Sequence, residues 1–182
     1  MGEDRKTYTL NVAGITRELT ICPVNDKLDI AAFVMFSDVE LTIACASELL
    51  KIVPAYDVII TAESKGIPLA YEMSRQGGKK YILARKSQKL YMTNVVEVSV
   101  QSITTANLQK LYLDASDMDY LKGKRVLLVD DVISTGESIR ALEQLVEQAG
   151  GEIAGKATVL AEGDAAQRDD LIFLAPLPLF FK

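Results

Sequence analysis

Three short runs of this chain are apolar on both of the faces that a strand presents: DVIITA (57–62), KKYILA (79–84) and RVLLVDD (125–131). A strand covered on one face alternates apolar and polar residues, whereas one covered on both reads as a continuous apolar run. Each run is six or seven residues long before a turn signal, too short for a buried helix. Helix-period segments separate them, and a further strand, GEIAGKATVLA (151–161), follows the last of these. Strands alternating with helices imply an α/β chain built on a mostly parallel sheet with helices on both sides.

The intervening segments carry their own boundary signals. Ser37 followed by Glu40 reads as a capping box that opens a helix running to about Val53, with Val39, Ile43, Ala46 and Leu50 on one face and Pro54 ending it. After the turn ESKG comes a helix with Pro68 in its first turn that stops before Gly77-Gly78. Ile139, Leu142, Leu145, Val146 and Ala149 form the stripe of another, closed by Gly150-Gly151. TYTLNVAGITRELTICPV alternates around Ala13-Gly14 as a hairpin would, and LIFLAPLPLF closes the chain. Between Arg85 and Tyr120 the rhythm breaks: a basic RKSQK, an alternating VVEVSVQ, a polar stretch around Ser102 to Asn107, then LQKLYL. We expect an antiparallel excursion with a mobile basic segment there.

With 182 residues, no repeat and no Pro/Ser-rich linker, residues 1–182 are expected to form one domain. A net charge of −5 argues against a general nucleic-acid or membrane-surface binder, so an anionic ligand must be held by local cations. MGEDRKTY lacks the apolar core of a secretory signal, and no apolar run approaches the roughly 18 residues of a membrane span. A cytoplasmic location is the default expectation. The chain has no histidine, which excludes histidine-based triads and relays, and Cys22 and Cys45 are read as reduced, structural residues.

The chemistry concentrates in RVLLVDDVISTGES (125–138). In open parallel sheets ligands sit beyond the carboxyl ends of the strands. Asp130 and Asp131 stand at such an end, and Ser134, Thr135, Gly136, Glu137 and Ser138 then offer successive backbone N–H groups, hydroxyls, a glycine free to take positive φ, and a helix N-terminus. That set suits a phosphate monoester. The lysine of GxxxxGK[ST] and the glycines of GxGxxG are both missing, which argues against an NTP or a dinucleotide. Two carboxylates beside a phosphate cradle fit a sugar phosphate whose vicinal hydroxyls donate to the acids.

VLLVDDVISTGES resembles the signature of type I phosphoribosyltransferases. ESKG (63–66) matches that family's pyrophosphate loop, while LARKSQKLY and the closing LAPLPLF are similar to segments of its adenine branch. The resemblance runs from about Asp57 onward. It implies that phosphoribosyl diphosphate (PRPP) places its 5-phosphate in Ser134 to Ser138 and its ribose hydroxyls on Asp130 and Asp131. Its diphosphate would lie against Glu63, Ser64, Lys65, Gly66 and Lys86, with Mg²⁺ as cofactor carried by PRPP and Asp130 and Asp131 as possible further ligands. Arg85, Lys86 and Lys89 fall in what the family uses as a flap (85–113), where Arg85 and Lys89 join the catalytic set. Residues 1–36 become a hood over the base, with Arg17 as a purine contact, and the assembly implied is a homodimer.

The reaction implied is transfer of the phosphoribosyl group from PRPP to adenine, giving AMP and pyrophosphate. Gln101 falls where adenine enzymes of the family carry a glutamate, and an amide hydrogen-bonds without titrating. ARKSQKLYMTNVVEVSVQS also resembles xanthine phosphoribosyltransferases and related purine-sensing repressors. A 6-oxopurine substrate (xanthine, hypoxanthine or guanine) and a PRPP-sensing module without catalysis therefore stand as alternatives. Lys156 is the lysine nearest to a base-binding position.

Overall fold

The computed structural model describes residues 6–101 and 108–182. Its first elements are β1 (Thr7–Val12), β2 (Ile15–Asn25) and β3 (Leu28–Ala31), followed by α1 (Val39–Ile52), β4 (Val58–Ala62), α2 (Ile67–Gly77) and β5 (Tyr81–Ala84). Then come β6 (Val96–Gln101), β7 (Leu108–Leu113), α3 (Ala115–Leu121), β8 (Arg125–Ile133) and α4 (Glu137–Gln148). After β9 (Glu152–Glu162) a 3-10 turn (Gly163–Gln167) leads to β10 (Ile172–Leu177) and β11 (Leu179–Phe181).

The apolar runs form the expected sheet: five strands, all parallel, in the order β10-β9-β8-β4-β5. Their period of two divides the core into two layers. Ile59, Leu127, Val129, Ala157 and Val159 pack with α1, α2 and the N-terminal strands. Val58, Ile60, Ile82, Val126 and Leu128 pack with α4, Val98, Leu111 and Leu113. The α4 stripe is as expected, with Ile139, Leu142, Leu145 and Val146 all buried.

Three local readings need correction. The cap of α1 is Asp38, whose carboxylate accepts the Leu41 N–H at 3.1 Å, while Ser37 sits outside the helix at φ 67°. That displaces the buried stripe of α1 to Leu41, Cys45, Ala46 and Leu49, leaving Val39 and Ile43 exposed. Likewise β8 does not stop at its acids, because Val132 and Ile133 still pair with Leu160 and Ala161 of β9. The closing LIFLAPLPLF divides between two sheets: β10 joins the parallel one, and past Pro178 β11 pairs antiparallel with β3 in the sheet β1-β2-β3-β11.

The excursion after β5 contains the antiparallel pair β6 and β7. Arg85 is bonded to Tyr112 through both backbone groups, at 2.9 and 2.8 Å, which closes the base of the excursion. Asp114 accepts the N–H groups of Thr93 (2.7 Å) and Ser116 (2.9 Å), so it both ties the returning chain and caps α3, a helix absent from the reading above. These two bonds hold the Asp114 carboxyl below the usual carboxylate range. The polar stretch around Ser102 to Asn107 lies outside the described residues.

Candidate active site

Both acids lie on β8, the middle strand of the parallel sheet, near its carboxyl end. Asp131 has a side chain only 2% exposed, and its Oδ2 is buried with no hydrogen-bond donor among the described residues. Asp130 is part-buried, and its Oδ1 accepts the Asp131 N–H at 2.9 Å. Burial, with the adjacent Asp131 charge second, pushes the Asp130 carboxyl up to about 7.

The loop after β4 meets both acids. Lys65 Nζ stands 3.7 Å from Asp131 Oδ2, and the side chain is half exposed, so it is open to solvent while close to the acid. Gly66 is the close approach: a Cβ there would sit 2.6 Å from Thr61 Oγ1, 2.9 Å from Asp130 Oδ1 and 3.3 Å from Asp130 Cα. Only glycine lets this loop lie directly on β8.

From β8 the chain enters the turn Ser134 to Ser138 and then α4. Gly136 takes φ 79° at the head of the helix, as the left-handed turn requires. A cavity of about 170 Å³ is lined by Asp130, Val132, Ile133 and all six residues from Ser134 to Ile139. The five residues read as a phosphate cradle thus line one cavity with Asp130 at its rim. Sequence reasoning missed Arg168, whose Nη1 lies 2.7 Å from the position of a Cβ on Gly136. Asp170 binds the Nε and Nη2 of that guanidinium at 2.8 Å each, leaving Nη1 against the turn. No motif covers Arg168, and its only signal is a cation in the loop that follows a parallel strand.

The other expected residues are placed less directly. Glu63 turns its carboxylate to the excursion, with Oε1 3.0 Å from Arg85 Nε and Oε2 accepting the Lys86 N–H at 2.7 Å. Ser64 is exposed, and the Glu63-Ser64 peptide is cis. Lys89 is engaged locally, its Nζ donating to Ser87 Oγ at 2.7 Å. Gln101 ends β6 opposite Leu108, and its side chain lies outside what is described. Arg17 gives its guanidinium to Asp38 (2.8 and 3.0 Å) and Glu40 (2.7 Å), tying β2 to the start of α1. Lys156 is ion-paired with Glu143 and Asp170.

Residues 43–174 match the model of the phosphoribosyl transferase domain. The chain belongs to this family. Within it, the chain is 36% identical over 117 residues to a xanthine phosphoribosyltransferase of an Exiguobacterium species, covering 64% of this chain and 60% of that protein. It is 39% identical over 101 residues to an adenine phosphoribosyltransferase of Pseudothermotoga lettingae, covering 55% and 56%. The chain thus matches somewhat over half the length of these relatives. Its fold is similar to that of the crystal structure of adenine phosphoribosyltransferase from Thermoanaerobacter pseudethanolicus, with TM-score 0.70 and 20% identity over 87% of this chain and 95% of that one. The parallel sheet with flanking helices is therefore the fold of a type I phosphoribosyltransferase. Among the described residues, no helix is long and apolar enough to cross a membrane.

Proposed function

We propose that this protein is a purine phosphoribosyltransferase that transfers the phosphoribosyl group of PRPP to adenine, giving AMP and pyrophosphate. The carrying observation is the convergence on β8 of three parts: the cradle 134–138, the carboxylates of Asp130 and Asp131, and the Lys65-Gly66 loop. Each part answers one group of PRPP. Backbone N–H groups and the α4 dipole suit the 5-phosphate, the acids accept ribose hydroxyls, and Lys65 and Arg85 oppose the diphosphate charge. Residues 1–182 are proposed to work as one domain, with 1–36 as hood and 85–113 as flap.

In the transfer, a purine ring nitrogen forms a bond to C1 of the ribose while the C1–O bond to diphosphate breaks, the electron pair leaves with pyrophosphate, and the proton lost from the purine N–H passes to solvent or to the departing pyrophosphate. Positive charge develops on the ribose, so buried carboxylates beneath it act where that charge appears. Lys65 and the flap cations offset the charge that grows on the leaving group. Closure of the flap over the diphosphate excludes water, which would otherwise compete with the purine.

The residues present fit Mg²⁺. Asp131 Oδ2 is a buried carboxylate oxygen without a donor among the described residues, an oxygen ligand of the type that this ion prefers. No group of three His, Cys, Asp or Glu side chains converges as a metal cage among the described residues. The ion would therefore share Asp130 and Asp131 with oxygens of PRPP, and when bound it supplies charge neutralisation to the leaving diphosphate.

Adenine is favoured by the resemblance of LARKSQKLY and LAPLPLF to the adenine branch. The relative named for xanthine keeps the 6-oxopurine reading as the specific alternative. Release of pyrophosphate from PRPP and Mg²⁺ with adenine, hypoxanthine, guanine and xanthine in turn decides between them. Turnover with adenine at least tenfold above the others is expected. A preference for any oxopurine overturns the substrate assignment, and PRPP binding without turnover on any base overturns the enzyme in favour of a sensor. In the cell a cytoplasmic homodimer is the proposed form.

A further inference from the structure

Glu63 lies in the loop expected to receive diphosphate, yet a carboxylate there repels a diphosphate, and both of its oxygens are already taken. Oε1 pairs with the Arg85 guanidinium at 3.0 Å and Oε2 accepts the Lys86 N–H at 2.7 Å. The Glu63 N–H in turn donates to Ala84 O at 2.9 Å. One residue thus grips three successive residues, 84 to 86, where the chain leaves β5. The grip reaches further, since Arg85 is bonded through both backbone groups to Tyr112 on β7. The loop after β4, the outgoing chain and the returning strand are linked in series through Glu63 and Arg85.

Both side chains are mostly buried, 26% exposed for Arg85 and 19% for Glu63, so the pair is less screened than a surface contact. Among the described residues Arg85 Nε is buried with no well-aligned hydrogen bond, so the attraction to Glu63 is one of charge more than of direction. Charge attraction of that kind holds a guanidinium near a loop while leaving its fork free to meet an anion.

We propose that Glu63 is a positioning residue for the transfer: it fixes the root of the flap against the loop after β4, and so presents Arg85 to the diphosphate beside Lys65. This rests on the PRPP reading of the site. Glu63 itself contacts no substrate. Its cost is partial neutralisation of Arg85; its return is that Arg85 need not be ordered when PRPP binds.

Two measurements on Glu63→Ala and Glu63→Gln test this. In steady state with PRPP varied, Glu63→Ala should raise KM for PRPP about tenfold and change kcat by less than about threefold, the split expected when a binding group loses its support. Glu63→Gln keeps an acceptor for the Lys86 N–H and should fall between Glu63→Ala and the wild type. In a double-mutant cycle with Arg85→Ala, the combined loss should be well below the product of the single losses. Separately, trypsin acting on ligand-free protein should cut at Arg85, Lys86 or Lys89 several times faster in Glu63→Ala. A KM within twofold of wild type, or multiplicative losses in the cycle, overturns the proposal, as does unchanged cleavage in a wild type that turns over PRPP. Faster cleavage together with a wild type that neither binds nor turns over PRPP overturns the PRPP reading and leaves the grip on the flap root standing.

Discussion

Replacing Asp130 by asparagine should stabilise this protein at alkaline pH. The Asp130 carboxyl, ordinarily near 3.8, is pushed up to about 7 by burial and by the charge of Asp131, against a smaller opposing pull from Lys65. The folded chain therefore holds the Asp130 proton more tightly than the unfolded chain does. Its contribution to stability is complete below about pH 4 and is lost as pH rises through about 7. Each tenfold in proton affinity is about 1.4 kcal/mol, so between pH 5 and pH 8 the wild type should lose on the order of 2–3 kcal/mol. Asparagine has no proton to lose, and its Oδ1 can still accept the Asp131 N–H that Asp130 accepts at 2.9 Å. With no histidine in the chain, few other side chains change charge in this window. Thermal unfolding at pH 5 and pH 8 reads the difference. At roughly 2–4 °C per kcal/mol for a chain of this size, Tm of the wild type should fall by about 4–12 °C more than that of Asp130→Asn. The same variant should lose roughly ten- to a hundredfold in kcat/KM with PRPP. Parallel Tm curves for the two proteins would refute the reasoning, because Asp130 would then be an ordinary solvated carboxylate.

Gly66→Ala places a methyl 2.6 Å from Thr61 Oγ1 and 3.3 Å from the Asp130 backbone, so the loop must lift; a Tm loss equivalent to about 1–3 kcal/mol and at least a tenfold rise in KM for PRPP are expected in melting and kinetic assays. Gly136→Ala forces an L side chain to φ 79° and into Arg168 Nη1 at 2.7 Å, which should cost about 1–2 kcal/mol or more and weaken inorganic phosphate binding measured by calorimetry. Asp114→Ala removes the acceptor of two backbone N–H groups and should cost about 1–2 kcal/mol in denaturant unfolding, with faster proteolysis between Lys86 and Thr93.

The parallel sheet was legible because burial on both faces leaves its mark on every residue of VIITA and VLLV, and the turn that lines the cavity beside Asp130 was legible because glycine and hydroxyls adjoin the acids in one unbroken segment. What was not legible depends on contacts distant in sequence. Nothing in LPLF says that Leu179–Phe181 will pair with β3, about 150 residues earlier, since an edge pairing needs only an extended apolar segment. Arg168 is likewise invisible until the fold sets it against Gly136. The capping error at α1 has a local cause: Ser37 and Asp38 are both good caps, and the left-handed φ of Ser37 moves the helix start by one residue. Val39 and Ile43 lie two residues, about 200° around the helix, from Leu41 and Cys45, and so fall on the exposed face.

On the proposed function, the features that weaken the fold at this site are the ones that would suit it to phosphoribosyl transfer. Two neighbouring acids, one of them buried without a donor, are unfavourable in the ligand-free protein, and Lys65 at 3.7 Å compensates only in part. On the PRPP reading, ribose hydroxyls and a metal ion complete the missing interactions, and the positive charge that develops on the ribose interacts with these carboxylates in surroundings from which water is largely excluded. The opposite sign of charge is handled on another element. Lys65, Arg85, Lys86 and Lys89 lie on the loop after β4 and on the chain leaving β5, two segments joined by Glu63, and on the PRPP reading these are the cations for the leaving diphosphate. On the same reading, an anionic floor on the central strand and cations carried on separate segments would let an acidic protein with a net charge of −5 hold a highly anionic substrate and release anionic products.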